Sequence, residues 1–499
     1  MGNTTYDSFV QHVQKIADLY YATAMLHWDK EVNLPPKSAG PRSRQIATLE
    51  GMAHQLFTSS ETLDLIKQLE ASYSTLDEKQ KRNVSLAHKD YDRQAKFEES
   101  FIIRRSKAIS TGYHAWLEAR KANDFSLFQA PLAELVAIKR EQAEITGYKA
   151  HPYDALLDEF EPGYTSNQLD VLFKDVREQL VNFAATIRSR PQVDDGFIFQ
   201  KYPDQQQWNF GLEILKRIGY DFDRGRQDRS PHPFTINFGS QDVRVTTVVD
   251  EDNFASMCWS CIHEGGHALY EQGLPAEQYG LPLGSSTSLG IHESQSRLWE
   301  NNVGRSKNFW MAQLDLAKNY FPDQLGGIGL DQFIAGINKI EPSPIRIESD
   351  ELHYHFHVMV RYEIEKALIE DSIQVKDIPT IWNQIYKDYL GLDIKDDNQG
   401  CLQDIHWAHG SIGYFPTYSL GSFYAAQFFA QAQKDIPGLD QQIQEGNCLP
   451  LLAWLRENIH QYGRMYSADD LCIKITGESL NFKYFMDYAK QKYTAIYGL

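Results

Sequence analysis

The segment His263-Glu264-Gly265-Gly266-His267 constrains this chain more than any other short stretch in it. Its histidines are four positions apart, and a helix brings positions i and i+4 to one face, one turn apart. The surrounding residues, FASMCWSCIHEGGHALYEQG, read as that helix. On it both imidazoles can reach one metal ion, and Glu264 can hold a water beside the ion without ligating it. Zinc then needs one further protein ligand and leaves a fourth position open. Two glycines inside a helix each cost about 1 kcal/mol relative to alanine. Gly265 and Gly266 therefore predict the close approach of another chain segment or a substrate.

The third ligand must come from elsewhere. Glu271 lies eight residues beyond His263, which places it about 80° round the helix. The stretch from Leu289 to Arg297 follows a glycine- and serine-rich loop at 284–288 and reads as a second helix. Glu293 on it is 26 residues beyond His267, room for a helix end, a loop and a return. That spacing fits zinc peptidases whose third ligand is a Glu on a neighbouring helix. His292 is a rival, but adjacent helix positions point about 100° apart, and Glu293 is the preferred ligand.

The rest of the chain predicts a mainly α fold. Phe9, Val13, Ile16 and Tyr20 recur at helical spacing, and that segment stops near Pro35-Pro36. The charged stretch 77–123 reads as one or two amphipathic helices. Glu161-Pro162-Gly163 marks a turn, and Thr165-Ser166-Asn167 offers caps for the next helix. Residues 232–249 alternate and are β-branched. They predict a hairpin about Gly239-Ser240, with Val243, Val245 and Thr247 on one face. Breaks are expected near 280–290, 322–328 and 391–400. No linker divides the chain, so 1–499 is expected to be one large helical domain with a small sheet, its N-terminal helical part about 1–230 and its catalytic part about 231–499.

Composition narrows the partners. Lys plus Arg is 49 against 67 for Asp plus Glu, a net charge of −18 in 499 residues. Such a balance argues against a nucleic-acid backbone or an anionic membrane as partner. No apolar run approaches a membrane span. The polar N-terminus predicts no secretory signal, and after Gly2 a myristoylation signal would need Ser or Thr where Tyr6 stands. Five cysteines in so long a chain are no disulfide framework. A reduced, cytoplasmic protein is expected. Cys258-Trp259-Ser260-Cys261 lies inside the zinc helix rather than at a helix start after a strand, which predicts packed thiols over a redox pair. His353 and His357 repeat the i, i+4 spacing without a following Glu and predict a half-buried helix face.

Six segments in order extend the pattern: His232-Pro233-Phe234, Asp242-Val243-Arg244-Val245-Thr246, the zinc motif, His292-Glu293-Ser294-Gln295, Ile345-Arg346-Ile347-Glu348-Ser349-Asp350, and Gly400-Cys401-Leu402-Gln403-Asp404-Ile405-His406-Trp407. In these the chain resembles the carboxypeptidase Taq family of zinc carboxypeptidases over nearly its whole length, with Ser349 where that family usually has Ala. The resemblance implies a neurolysin-like helical architecture with a deep central groove and one catalytic Zn2+ per chain, which Co2+ or Mn2+ can replace. It also implies a homodimer and the removal of single residues from peptides with a free C-terminus.

Roles follow residue by residue. His263, His267 and Glu293 would hold the ion, and Glu264 would move the proton from water to the leaving nitrogen. Arg346, by its motif position, would read the terminal carboxylate with its fork; the alternative is an ion pair with Glu348 or Asp350. Arg244 is a second substrate-binding candidate, with Asp242 as its alternative partner. His406, Tyr418 and Tyr414 are the candidate oxyanion donors; the alternative for each tyrosine is core packing with a satisfied hydroxyl. An oligopeptidase cutting internal bonds would use the same metal site.

Overall fold

The first helix, Thr4–Val32, buries Phe9, Val13 and Ile16 along one face and ends shortly before Pro35. Tyr20 is instead 40% exposed, because the cluster that takes Phe9 and Val13, built with Ile66, Leu69 and Val84, does not reach it. The computed structural model describes residues 4–499, so Met1, Gly2 and Asn3 lie outside the described residues. Contacts divide the chain into two units. One comprises residues up to Ala95, Asp194–Ile337 and Tyr424–Leu480; the other comprises Lys96–Val193, Asn338–Phe423 and Asn481–Leu499. The stretches 1–230 and 231–499 each contribute to both.

In the first unit the expected hairpin is present and has a third strand. β1 (Gln227–Arg229), β2 (Thr235–Asn237) and β3 (Val243–Thr247) form a sheet of order β1-β3-β2. β2 runs antiparallel to β3, with Thr235 opposite Val245, and β1 runs parallel to it. β1 is three polar-leaning residues, too short for a pattern in sequence. Val243, Val245 and Thr247 are buried as expected; Thr246, on the other face, is buried too, its hydroxyl accepting from Phe234 N at 2.9 Å.

The helix Phe254–Gly273 starts at Asn253, whose side chain accepts from Ala255 N. A Cβ on Gly266 would lie 2.6 Å from Ser296 Cα and 2.8 Å from the Gln295 carbonyl oxygen. The segment that approaches is therefore the helix Leu289–Arg297, capped by Ser288 and continued by a π turn over Leu298–Val303. Gly265 faces the ends of Leu215 and Ile218 instead. Gly266→Ala drives its Cβ into the backbone of Gln295 and Ser296, an overpacking cost of about 1–3 kcal/mol, and displaces the helix that carries Glu293. A lowered thermal midpoint with weaker metal binding is expected from calorimetry and metal titration, and a smaller loss for Gly265→Ala, which meets only side chains.

The charged stretch 77–123 resolves into two helices, Glu78–Ala95 and Glu99–Ala122. In the second unit Gly163 takes a positive φ in its turn, and Thr165 and Gln168 close a capping box that starts Ser166–Arg188. The break at 322–328 contains a helical turn, Pro322–Leu325, in the first unit. His353, His355 and His357 are fully buried rather than half-buried, because the helix Tyr354–Ile369 is enclosed on nearly every face. Each has a polar partner: Asp350, Ser419 and Tyr386 respectively. Among the described residues no helix is long and apolar enough to cross a membrane.

Candidate active site

The first unit brings His263, His267 and Glu293 together, their ligand atoms all within 4.8 Å of one another. The Nε2 atoms of His263 and His267 lie 3.8 and 3.4 Å from Glu293 Oε2. Two ligands about 2.1 Å from a tetrahedral ion stand about 3.4 Å apart, so the donor set fits one divalent ion. The imidazoles are oriented for it. His263 Nδ1 donates to the Glu300 carboxylate at 2.8 Å, and His267 Nδ1 donates to the His292 carbonyl at 3.1 Å. Both partners only accept, so the proton sits on Nδ1 and the Nε2 lone pair is free for metal.

Glu293 is braced in turn. Arg297 Nε donates to its Oε1 at 2.7 Å, one turn along the helix, and Arg297 Nη1 donates to Glu300 at 3.0 Å. Burial raises the Glu300 carboxyl, but Arg297 and His263 outweigh it and hold it down to about 2. The π turn places Glu300 here: its extra residue per turn re-aims a side chain that an α-helix would carry elsewhere. The rival ligand His292 is tied to Glu271 at 2.8 Å, which occupies both. Glu264 is buried, and burial raises its carboxyl above the ordinary range. The Thr235 hydroxyl on β2 lies 2.7 Å from the Glu264 carboxylate and 2.9 Å from its carbonyl, where it can donate.

Arg244 gives its fork to Asp242, Nε at 2.9 Å and Nη2 at 2.8 Å, and its guanidinium lies 4.6 Å from the Trp28 ring centre and 5.0 Å from that of Phe238. Cys258 and Cys261 are buried free thiols, and burial pushes Cys261 up to about 12.

The second unit gathers the remaining candidates. Arg346 is buried and its partner is Asp404, not Glu348 or Asp350: Nε donates at 2.9 Å and Nη2 lies at 2.8 Å. Its Nη1 donates to the Tyr354 hydroxyl at 2.8 Å, and its guanidinium lies 4.9 Å from the Tyr418 ring centre. Arg361, fully buried, binds the other oxygen of Asp404 through Nε at 2.7 Å. Burial works against the Asp404 charge, but the two guanidinium groups hold its carboxyl far below the usual range. Two cations share one anion, so the cluster has a positive charge in excess.

His406 Nε2 stands 3.0 Å from the Tyr418 hydroxyl, and the Tyr414 and Tyr418 rings are 5.2 Å apart. Burial, with Arg346 and Arg361 adding to it and Asp404 opposing, pushes His406 down to about 3. Its imidazole is neutral at pH 7.

Comparisons with known proteins give the chain a family. The chain matches the family described as carboxypeptidase Taq (M32) metallopeptidase over residues 8–493. It belongs to that family. Carboxypeptidase 1 of Bacillus subtilis is 39% identical over 501 residues, 99% of each chain. Thermostable carboxypeptidase 1 of Thermus thermophilus is 37% identical over 506 residues, again 99% of each. The solved M32 carboxypeptidase of Deinococcus radiodurans R1 superposes with a TM-score of 0.97 at 35% identity over 100% of both chains. The protein is a metallocarboxypeptidase.

Several site residues of this M32 peptidase escaped sequence reasoning. Asp404 lies within the segment Gly400–Trp407, where an aspartate by itself indicates no role. Arg297 was legible as an i, i+4 partner of Glu293. Thr235 and Glu300 left no signal, because a hydroxyl and a carboxylate are ordinary in a strand and a helix. Glu300→Ala leaves His263 Nδ1 without its acceptor, and metal affinity is expected to fall about 10–100-fold. A competition titration with a chelator checks this; unchanged affinity would remove Glu300 from the metal site.

Proposed function

We propose that this metallocarboxypeptidase removes amino acids singly from peptides with a free C-terminus, with Glu264 as general base and Arg346 as reader of the terminal carboxylate. The excess charge of the Arg346–Asp404–Arg361 cluster carries this reading. A buried cation without a full counter-charge is unfavourable, and a substrate carboxylate supplies the missing anion. Asp404 holds the Arg346 fork in plane, so little side-chain freedom is lost when the second carboxylate arrives.

His263, His267 and Glu293 would hold the ion, which would supply Lewis-acid chemistry for the scissile carbonyl and for a water whose pKa would fall towards about 7. We assign zinc, since two imidazoles and one carboxylate suit it, and the same donors take Co2+ or Mn2+. Glu264, buried and bonded by Thr235, takes the proton from the attacking water and returns it to the leaving nitrogen. His406, neutral and so with one N–H, would turn it from the Tyr418 hydroxyl to the developing oxyanion, with Tyr418 or Tyr414 as the second donor. Arg244, its fork held by Asp242 and its strand paired with that of Thr235, is the second candidate for binding substrate. A cytoplasmic homodimer is the setting that the family resemblance suggests.

The test is one peptide in two forms, free acid and C-terminal amide, followed by mass spectrometry with the metal-loaded enzyme. A ladder of single-residue losses from the acid alone is expected. Internal cuts in both forms would overturn the exopeptidase reading in favour of an oligopeptidase.

A further inference from the structure

Two buried carboxylates of the second unit have no part in the reaction as described. Glu365, on the helix Tyr354–Ile369, is fully buried. It accepts from Trp407 Nε1 at 2.8 Å, from Gly413 N at 2.9 Å and from the Tyr153 hydroxyl at 2.9 Å. Burial is the largest influence on it and, against those three donors, pushes its carboxyl up to about 7. Glu161, in the turn at 161–163, is also buried and accepts from the Thr417 hydroxyl at 2.8 Å.

The donors interleave with the candidate oxyanion groups. Trp407 follows His406, Gly413 precedes Tyr414, and Thr417 precedes Tyr418. Residues 401–415 contain no helix or strand, so no regular ladder holds their shape. Gly413 has a φ of +101°, and a Cβ there would sit 2.9 Å from the backbone of Leu156, so this loop lies directly on the segment that bears Tyr153. Burying a carboxylate is costly, and an apolar contact would dock a loop at less cost. What the carboxyl adds is direction, since its two oxygens fix the positions of three donors at once.

We propose that Glu365, seconded by Glu161, is a positioning residue for the reaction, fixing His406, Tyr414 and Tyr418 where they meet the developing oxyanion. It rests on the reading of those three residues given above. Its effect falls on the transition state, because the substrate carboxylate is held elsewhere in the cluster, by Arg346.

The experiment is a double-mutant cycle on the metal-loaded enzyme, with kcat, KM, metal content and thermal midpoint measured for each variant. Glu365→Gln is expected to lower kcat about tenfold or more with KM within about threefold. Added to His406→Ala, it should lower kcat by no more than about a third of that factor, because the group it positions is gone. Equal factors in both backgrounds, or a raised KM with kcat retained, would overturn the proposal. Wild-type kcat in His406→Ala alone would remove the reading beneath it, and the proposal with it. Should Glu365→Gln fail to fold, Trp407→Phe keeps an aromatic ring, removes one donor to Glu365, and runs the same cycle.

Discussion

Glu264→Gln is expected to keep the metal and lose about 10³-fold or more in kcat. The substitution is isosteric, and the amide oxygen can still accept from Thr235, so the buried site keeps its shape. His263, His267 and Glu293 are untouched, and metal content should match the wild type. The amide cannot take a proton from water. General base catalysis is worth about 10²–10⁴-fold, and here the same group also serves the leaving nitrogen. Metal analysis and steady-state kinetics on one free-acid peptide decide it: a variant within tenfold of wild-type kcat would sink this mechanism.

Arg346→Ala is expected to lower kcat/KM for free-acid peptides by about 10²–10³-fold, the loss of about 3–4 kcal/mol typical of a truncated buried charge pair. The loss should appear mainly in KM, because the carboxylate is bound in ground state and transition state alike. Folding should survive, since Asp404 keeps Arg361 as partner and is not left as an orphaned buried charge. Arg346→Lys should recover little: an ammonium cannot hold Asp404 and a second carboxylate in one plane. The control is the amidated peptide as a competitive inhibitor, whose inhibition constant should change little because it carries no terminal charge for Arg346 to bind. Equal effects on acid and amide would remove Arg346 from carboxylate recognition.

The helices were legible where periodicity met an explicit stop, as at Thr4–Val32 before Pro35 and at Ser166–Arg188 after its Thr165 cap. The candidate metal ligands are legible for the same local reason: a helix fixes the i, i+4 pair, and Glu293 follows after one loop. Where the structure departs from the local pattern, the cause is non-local. Tyr20 has the right spacing for a core that does not extend to it. The imidazoles of His353 and His357 lie in a fully enclosed helix because distant elements close over it. β1 shows itself only through pairing with β3, since three residues carry no pattern.

What the sequence determined by itself is whatever a few neighbouring residues and the helical repeat enforce: the zinc-motif helix, the helix of Glu293, the strand face of Val243, Val245 and Thr247, and the glycine at 266 that marks a close neighbour. Packing alone selects which polar groups share a proton, a charge or a hydrogen bond across long stretches of chain. Glu300 on His263, Thr235 on Glu264, Asp404 between Arg346 and Arg361, and Glu365 beneath Trp407 and Gly413 all belong to that second set. Electrostatic and hydrogen-bond partners are chosen by distance in space, and sequence separation carries almost no information about that distance once a chain has packed.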